Sequence, residues 1–196
     1  AALGFGAFEF WGWKNKDIPK VRAAMDEHAI PIAALSLEPN ASLIRRNAQA
    51  ELVQGMRDTA AVADELGCRT IIATVGNTLD DESYEMGRRR VVRHLAALGG
   101  VAEDHGLTIV VEPLNTLVDH HGNWLTTMAQ AADIVQEVGS PAVKILMDLY
   151  HQQITEGNLI SNLTTYAELI GHIHTAGVPG RHELVGGEQD YRALFR

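Results

Sequence analysis

The 196-residue sequence has a single cysteine, Cys68, so no internal disulfide can form and a reducing, cytoplasmic compartment is expected. It has no apolar run of membrane-spanning length, which argues against a membrane partner. Positive charge is scarce: 16 Lys and Arg face 25 Asp and Glu, a net charge of −9. A nucleic-acid partner is therefore not expected, because phosphate backbones demand a basic surface. Glycine-rich phosphate loops of recognised spacing are missing. The opening Ala-Ala-Leu-Gly-Phe-Gly lacks both a basic segment and an initiating methionine. It does not read as a secretory signal, and the sequence reads as though it begins inside a larger fold.

What is present is ordinary globular composition, 46% hydrophobic and 21% charged. Strand-like runs alternate with helical stripes. Runs at 7–11, 31–37, 70–75, 107–114, 143–149 and 171–176 read as strands, and 107–114 is almost wholly apolar, as a parallel strand covered on both faces should be. Between them, Asp17 and Pro19 mark a helix start, and 46–66, 83–105, 126–138 and 160–169 read as helices. Cys68, between a helix end and a strand start, reads as a small buried apolar residue. Arg88, Arg89 and Arg90 read as a solvated helix face.

A strand followed by a helix, repeated, predicts one α/β domain over 1–196 with a parallel sheet, doubly wound or closed into a (β/α)₈ barrel. A full barrel takes about 250 residues and eight strands. Six strands predict a truncated barrel without its first and last strands, residues 191–196 being the start of a further helix. Open sheet edges of that kind invite pairing with another copy of the chain, and marginal stability.

In such sheets chemistry collects at the C-terminal strand ends. Glu112 is an acid closing an apolar run, and a buried carboxylate is costly unless paired or metal-bound. Asp148 closes the next run, with His151 three residues on. His172 and His174 follow, placed on one side of their strand by its period of two. Glu112, Asp148 and His174 would converge from successive strands, and two carboxylates with one imidazole suit Mg²⁺, Mn²⁺ or Co²⁺. Arg181, in the loop Val178-Pro179-Gly180-Arg181-His182-Glu183, either grips an anionic substrate or pairs with Glu183. Asp119-His120-His121 reads as loop or rim, and Phe10-Trp11-Gly12-Trp13 as pocket wall or packing.

Four segments carry a resemblance: Val111-Glu112-Pro113-Leu114-Asn115-Thr116; the run from Met147 to Asn158; Gly171-His172-Ile173-His174; and the Arg181 loop. Together they resemble the hydroxypyruvate isomerase family of xylose-isomerase-like TIM barrels, as does the tail Gly187-Glu188-Gln189-Asp190-Tyr191. The resemblance implies an aldose–ketose type isomerase acting on a small hydroxy-carbonyl acid. It implies that Glu112 is both metal ligand and acid/base, that Asp148 and His174 are ligands, and that Asn115, His151 and Arg181 hold substrate. A further catalytic glutamate belongs to the family's last strand, which the six runs do not include. His174 stands where the related epimerases carry histidine and hydroxypyruvate isomerases often carry glutamine, so ketose 3-epimerisation is the near alternative. An endonuclease IV-like barrel is the distant one, disfavoured by charge.

Overall fold

A strand's side chains alternate between two faces, so the direction of each strand fixes what lies on each side of the sheet. The computed structural model describes residues 3–196; Ala1 and Ala2, part of the segment read as carrying no signal, lie outside them. Six strands alternate with helices: β1 (Phe8–Phe10), α1 (Ile18–His28), β2 (Ile32–Ser36), α2 (Gln49–Leu66), β3 (Thr70–Ala73) and α3 (Tyr84–His105). There follow β4 (Thr108–Val111), α4 (Met128–Val138), β5 (Val143–Asp148), α5 (Leu149–Thr155), α6 (Leu159–Thr165), β6 (Ile170–His174) and α7 (Tyr191–Leu194).

The strands form one parallel sheet in the order β1-β2-β3-β4-β5-β6. Every crossover steps to the next strand in the same direction. A doubly wound sheet reverses that direction partway, so the order is that of a (β/α)₈ barrel with six strands in place. The sheet curves far enough that Glu9 of β1 reaches His172 and His174 of β6, at 3.2 and 2.8 Å.

The two faces bury different sets. Leu35, Ile71, Ile109 and Ile145 join the large core under the helices. Their neighbours Ala34, Ile72, Val110 and Leu146 form a separate small cluster on the inner face. Two residues further along, on that same inner face, come Ser36, Thr74, Glu112 and Asp148. The alternation that fills the barrel thus delivers polar groups to its mouth.

Local signals set the helix limits. Asp17 accepts from the Lys20 amide (3.2 Å) with Pro19 in the first turn, Ser83 caps α3, and Thr127 with Gln130 forms a capping box on α4. Gly67 ends α2 in the left-handed region, at φ 71°. Three points needed correction. The helix expected over 160–169 is α6 followed by a short 3-10 turn at Ala167–Leu169, and α5 was missed because it starts directly on Asp148 with no linker. The arginine run is not a solvated face. Arg88, 16% exposed, bridges Asp133 (2.6 Å) and Glu137 of α4, and Arg90 holds Glu82 and the Ile44 carbonyl (3.0 Å). Arg89 alone of the three extends outward, to Glu85. A helical stripe separates apolar from polar positions but does not reveal acids arriving from another helix. Cys68 is fully buried, as read. Among the described residues no helix is long and apolar enough to cross a membrane.

Two glycines give opposite expectations. A Cβ on Gly55 of α2 would lie 2.1 Å from the Glu38 carbonyl oxygen, whereas a Cβ on Gly100 of α3 meets nothing within 4 Å. Gly100→Ala should stabilise the chain by about 0.5–1 kcal/mol through helix propensity. Gly55→Ala should destabilise it by roughly 1–3 kcal/mol through overpacking. Thermal melts of the two variants should move in opposite directions.

Candidate active site

Glu112 lies one residue past β4, its amide still bonded to the Ala73 carbonyl (3.0 Å), so the sheet holds it as firmly as a strand residue. Only 7% of it is exposed. Burial first, then the negative charge of Asp148, pushes its carboxyl up to about 7, against the pull of His174 and Arg181. A carboxyl with that affinity both takes and gives protons near neutrality.

Asp148 ends β5 and starts α5. Its Oδ1 accepts from the amides of Tyr150 (2.8 Å) and His151 (3.4 Å), which fixes the side chain as a helix cap. Its Oδ2 faces the site, 3.6 Å from His151 Nε2 and 3.9 Å from Arg181 Nη2. His174 ends β6. Its Nδ1 lies 3.8 Å from Glu112 Oε1 and its Nε2 2.8 Å from Glu9 Oε1, the latter at an angle too bent for a hydrogen bond. Burial disfavours its charge, but Glu9, Glu112 and Asp148 outweigh that and raise its proton affinity. Glu112, Asp148 and His174 each present a donor atom, all within 4.8 Å of one another.

Asn115 organises the opposite wall. Its Oδ1 accepts from the amides of Val118 (3.0 Å) and Asp119 (3.2 Å), so its Nδ2 must donate, to Asp119 Oδ2 (2.8 Å) and His151 Nδ1 (2.6 Å). That assigns the proton of neutral His151 to Nε2, on the Asp148 side. Burial pushes His151 down to about 4, so it is neutral at ordinary pH and works as a hydrogen-bond donor.

Arg181 stacks over the Tyr150 ring, 5.0 Å from its centroid, and stands 4.0 Å from Asp119 and 3.9 Å from Asp148. Its carboxylate neighbours are thus these two rather than Glu183. Contacts this long leave the guanidinium free to turn to an anion in the cavity, which Glu112, His120, His151, His174, Trp11 and Arg181 all line.

Of the six residues singled out by sequence, Glu112, His151, His174 and Arg181 line this cavity, Asp148 lies beside Glu112 and His174, and Asn115 stands behind His151. Sequence reasoning missed three neighbours. Asp119 and His120, read as loop or rim, turn inward: Asp119 onto Asn115 and His120 edge-on to His151 at 5.2 Å. The four-residue step from Asn115 to Asp119 was the available clue. Glu9 was overlooked although it is, like Glu112, an acid within an apolar strand; His172 and then His174 hold it ionised, its carboxyl lowered to about 2.

Comparison with known proteins agrees with this geometry. The family model described as "Xylose isomerase-like TIM barrel" matches residues 1–196. A protein of Danio rerio named putative hydroxypyruvate isomerase is 30% identical over 100% of this chain and 75% of its own length. The 2-oxo-tetronate isomerase of Cupriavidus necator is 31% identical over 100% of this chain and 77% of its own, and the hydroxypyruvate isomerase of Escherichia coli 28% over 100% and 78%. Among solved structures, one titled AP endonuclease, family 2, from Brucella melitensis superposes with a TM-score of 0.93 at 26% identity, covering 99% of this chain and 77% of that one. A 3-keto-D-glucoside 4-epimerase from E. coli gives 0.83 at 26%, with the same coverage. The chain belongs to the xylose-isomerase-like TIM barrel family, among the relatives of hydroxypyruvate isomerase.

Proposed function

We propose that residues 1–196 act as one domain that interconverts hydroxypyruvate and tartronate semialdehyde, or a closely related small hydroxy-carbonyl acid, in the cytoplasm. The observation that carries this reading is Glu112, a buried carboxyl pushed up to about 7 beside Asp148 and His174, with the Arg181 guanidinium lining the same cavity.

The donor set fits a divalent cation. Asp148 keeps Oδ2 free after capping α5 with Oδ1, and two carboxylates with one imidazole suit Mg²⁺, Mn²⁺ or Co²⁺. Glu112, Asp148 and His174 would hold it. Bound there, the ion supplies Lewis-acid polarisation of a carbonyl, which acidifies the adjacent C–H. Arg181 pairs with the substrate carboxylate, and neutral His151 donates from Nε2 to a substrate oxygen. Glu112 takes the proton from the hydroxymethylene carbon, and the C–H electron pair moves into a carbon–carbon double bond as the carbonyl becomes an enediolate. Return of a proton to the former carbonyl carbon, with transfer of the hydroxyl proton between the neighbouring oxygens, gives the aldehyde. The family resemblance assigns the return step to a second glutamate on a further strand.

The neighbouring epimerase favours a second reading, proton exchange at a carbon of a longer ketose by the same Glu112. Arg181 favours the short acid.

The test is proton NMR of the chain with hydroxypyruvate and Mg²⁺ or Mn²⁺ in D₂O. Deuterium should enter the hydroxymethylene group, and Glu112→Gln should slow that exchange about 10²–10⁴-fold. Exchange unchanged in Glu112→Gln would remove Glu112 from the chemistry, and exchange on a ketose but not on hydroxypyruvate would favour the epimerase. Arg181→Ala should raise KM for hydroxypyruvate roughly tenfold or more while leaving exchange into an uncharged ketose little changed, since it removes a charge-assisted contact.

A further inference from the structure

We propose that Glu9, His172 and His174 form a second divalent-cation seat, distinct from Glu112–Asp148–His174 and selective for a softer ion such as Zn²⁺. His172 Nε2 lies 3.2 Å from Glu9 Oε2, His174 Nε2 lies 2.8 Å from Glu9 Oε1, and a donor atom from each of the three falls within 4.8 Å of the others. The two imidazoles sit side by side on β6 with ring centroids 5.0 Å apart, as alternate residues of one strand must.

The contact between His174 and Glu9 is short yet too bent for a hydrogen bond, and His174 Nε2 is buried with no hydrogen-bond partner. With the ring neutral, His174 Nε2 and Glu9 Oε1 converge as two ligands of one ion do, and an ion there would displace the proton that Glu9 otherwise favours on the ring. Two imidazoles and one carboxylate form the set that Zn²⁺, Co²⁺ and Fe²⁺ prefer, whereas the neighbouring seat, with one imidazole and two carboxylates, is harder.

The seats share His174, and a neutral imidazole has a single lone pair. The ring offers Nε2 toward Glu9 and Nδ1 toward Glu112, so it serves one seat at a time. An ion between Glu9 and His172 withdraws His174 from Glu112 and Asp148. It also ties the first described strand to the last. The seat rests on distances around Glu9 and does not depend on the isomerase reading.

The experiment is calorimetric titration of the metal-free chain with ZnCl₂. Asp148→Asn removes a charged ligand from the neighbouring seat while an Asn oxygen still caps α5. That variant should bind one Zn²⁺ as tightly as the unaltered chain. Adding His172→Asn, or separately Glu9→Gln, should weaken binding at least tenfold, with circular dichroism confirming that each variant is folded. Loss of tight Zn²⁺ binding in Asp148→Asn alone would overturn the proposal. So would its persistence in both double variants, which would place the ion on surface histidines such as His28 or His182. Turnover is not read, so failure of hydroxypyruvate exchange leaves this result standing, and the converse also holds.

Discussion

Everything in this molecule follows from one burial that is costly in isolation: the Glu112 carboxyl on the inner face of a parallel sheet. The period of two sends Ile109 and Val111 outward beneath the helices and Val110 inward to pack on Ile72 and Leu146. Glu112, two residues beyond Val110, has no other direction to point. Burial strips most of its hydration, and the charge of Asp148 repels it. In the metal-free chain the same burial pushes the carboxyl up to about 7, close to ordinary pH.

The groups around it divide the remaining work. Asp148 spends one oxygen on a helix cap and keeps the other for the site, so its position comes from backbone hydrogen bonds rather than from a partner side chain. Asn115 holds His151 in one tautomer through an amide whose own orientation is fixed by two backbone donors. Arg181 is the least constrained, stacked on Tyr150 with carboxylates at 3.9 and 4.0 Å, consistent with a group that changes partner when an anion arrives.

Much of this was legible in the sequence, for reasons that differ by residue. The strands could be read because apolar runs bounded by caps and glycines are local signals. Glu112 and Asp148 stood out because acids rarely close such runs. Strand spacing alone left a doubly wound sheet open; the family motifs pointed to the barrel, and the pairing order bears that out. Asp119 was lost although its partner Asn115 is four residues away, whereas His120 and Glu9 were lost because their partners, His151 and the histidines of β6, lie far away in sequence. The same limit hid the acids that pair with Arg88, which come from α4.

The central claim is that Glu112 is buried for chemistry and at a cost to stability. The opposing view makes it a structural partner of His174. Thermal melts of the metal-free chain and of Glu112→Gln, run with chelator from pH 8 to pH 4.5, separate the two. Folding raises this carboxyl from 4.5 to about 7, so the penalty is full above pH 7 and fades as the pH falls toward 4.5. Glu112→Gln should therefore be the more stable protein at pH 8, by on the order of 3 kcal/mol at most, with the gap closing on acidification. A Glu112→Gln variant less stable than the unaltered chain at pH 8 would contradict the claim and return Glu112 to the role of an ion-pair strut.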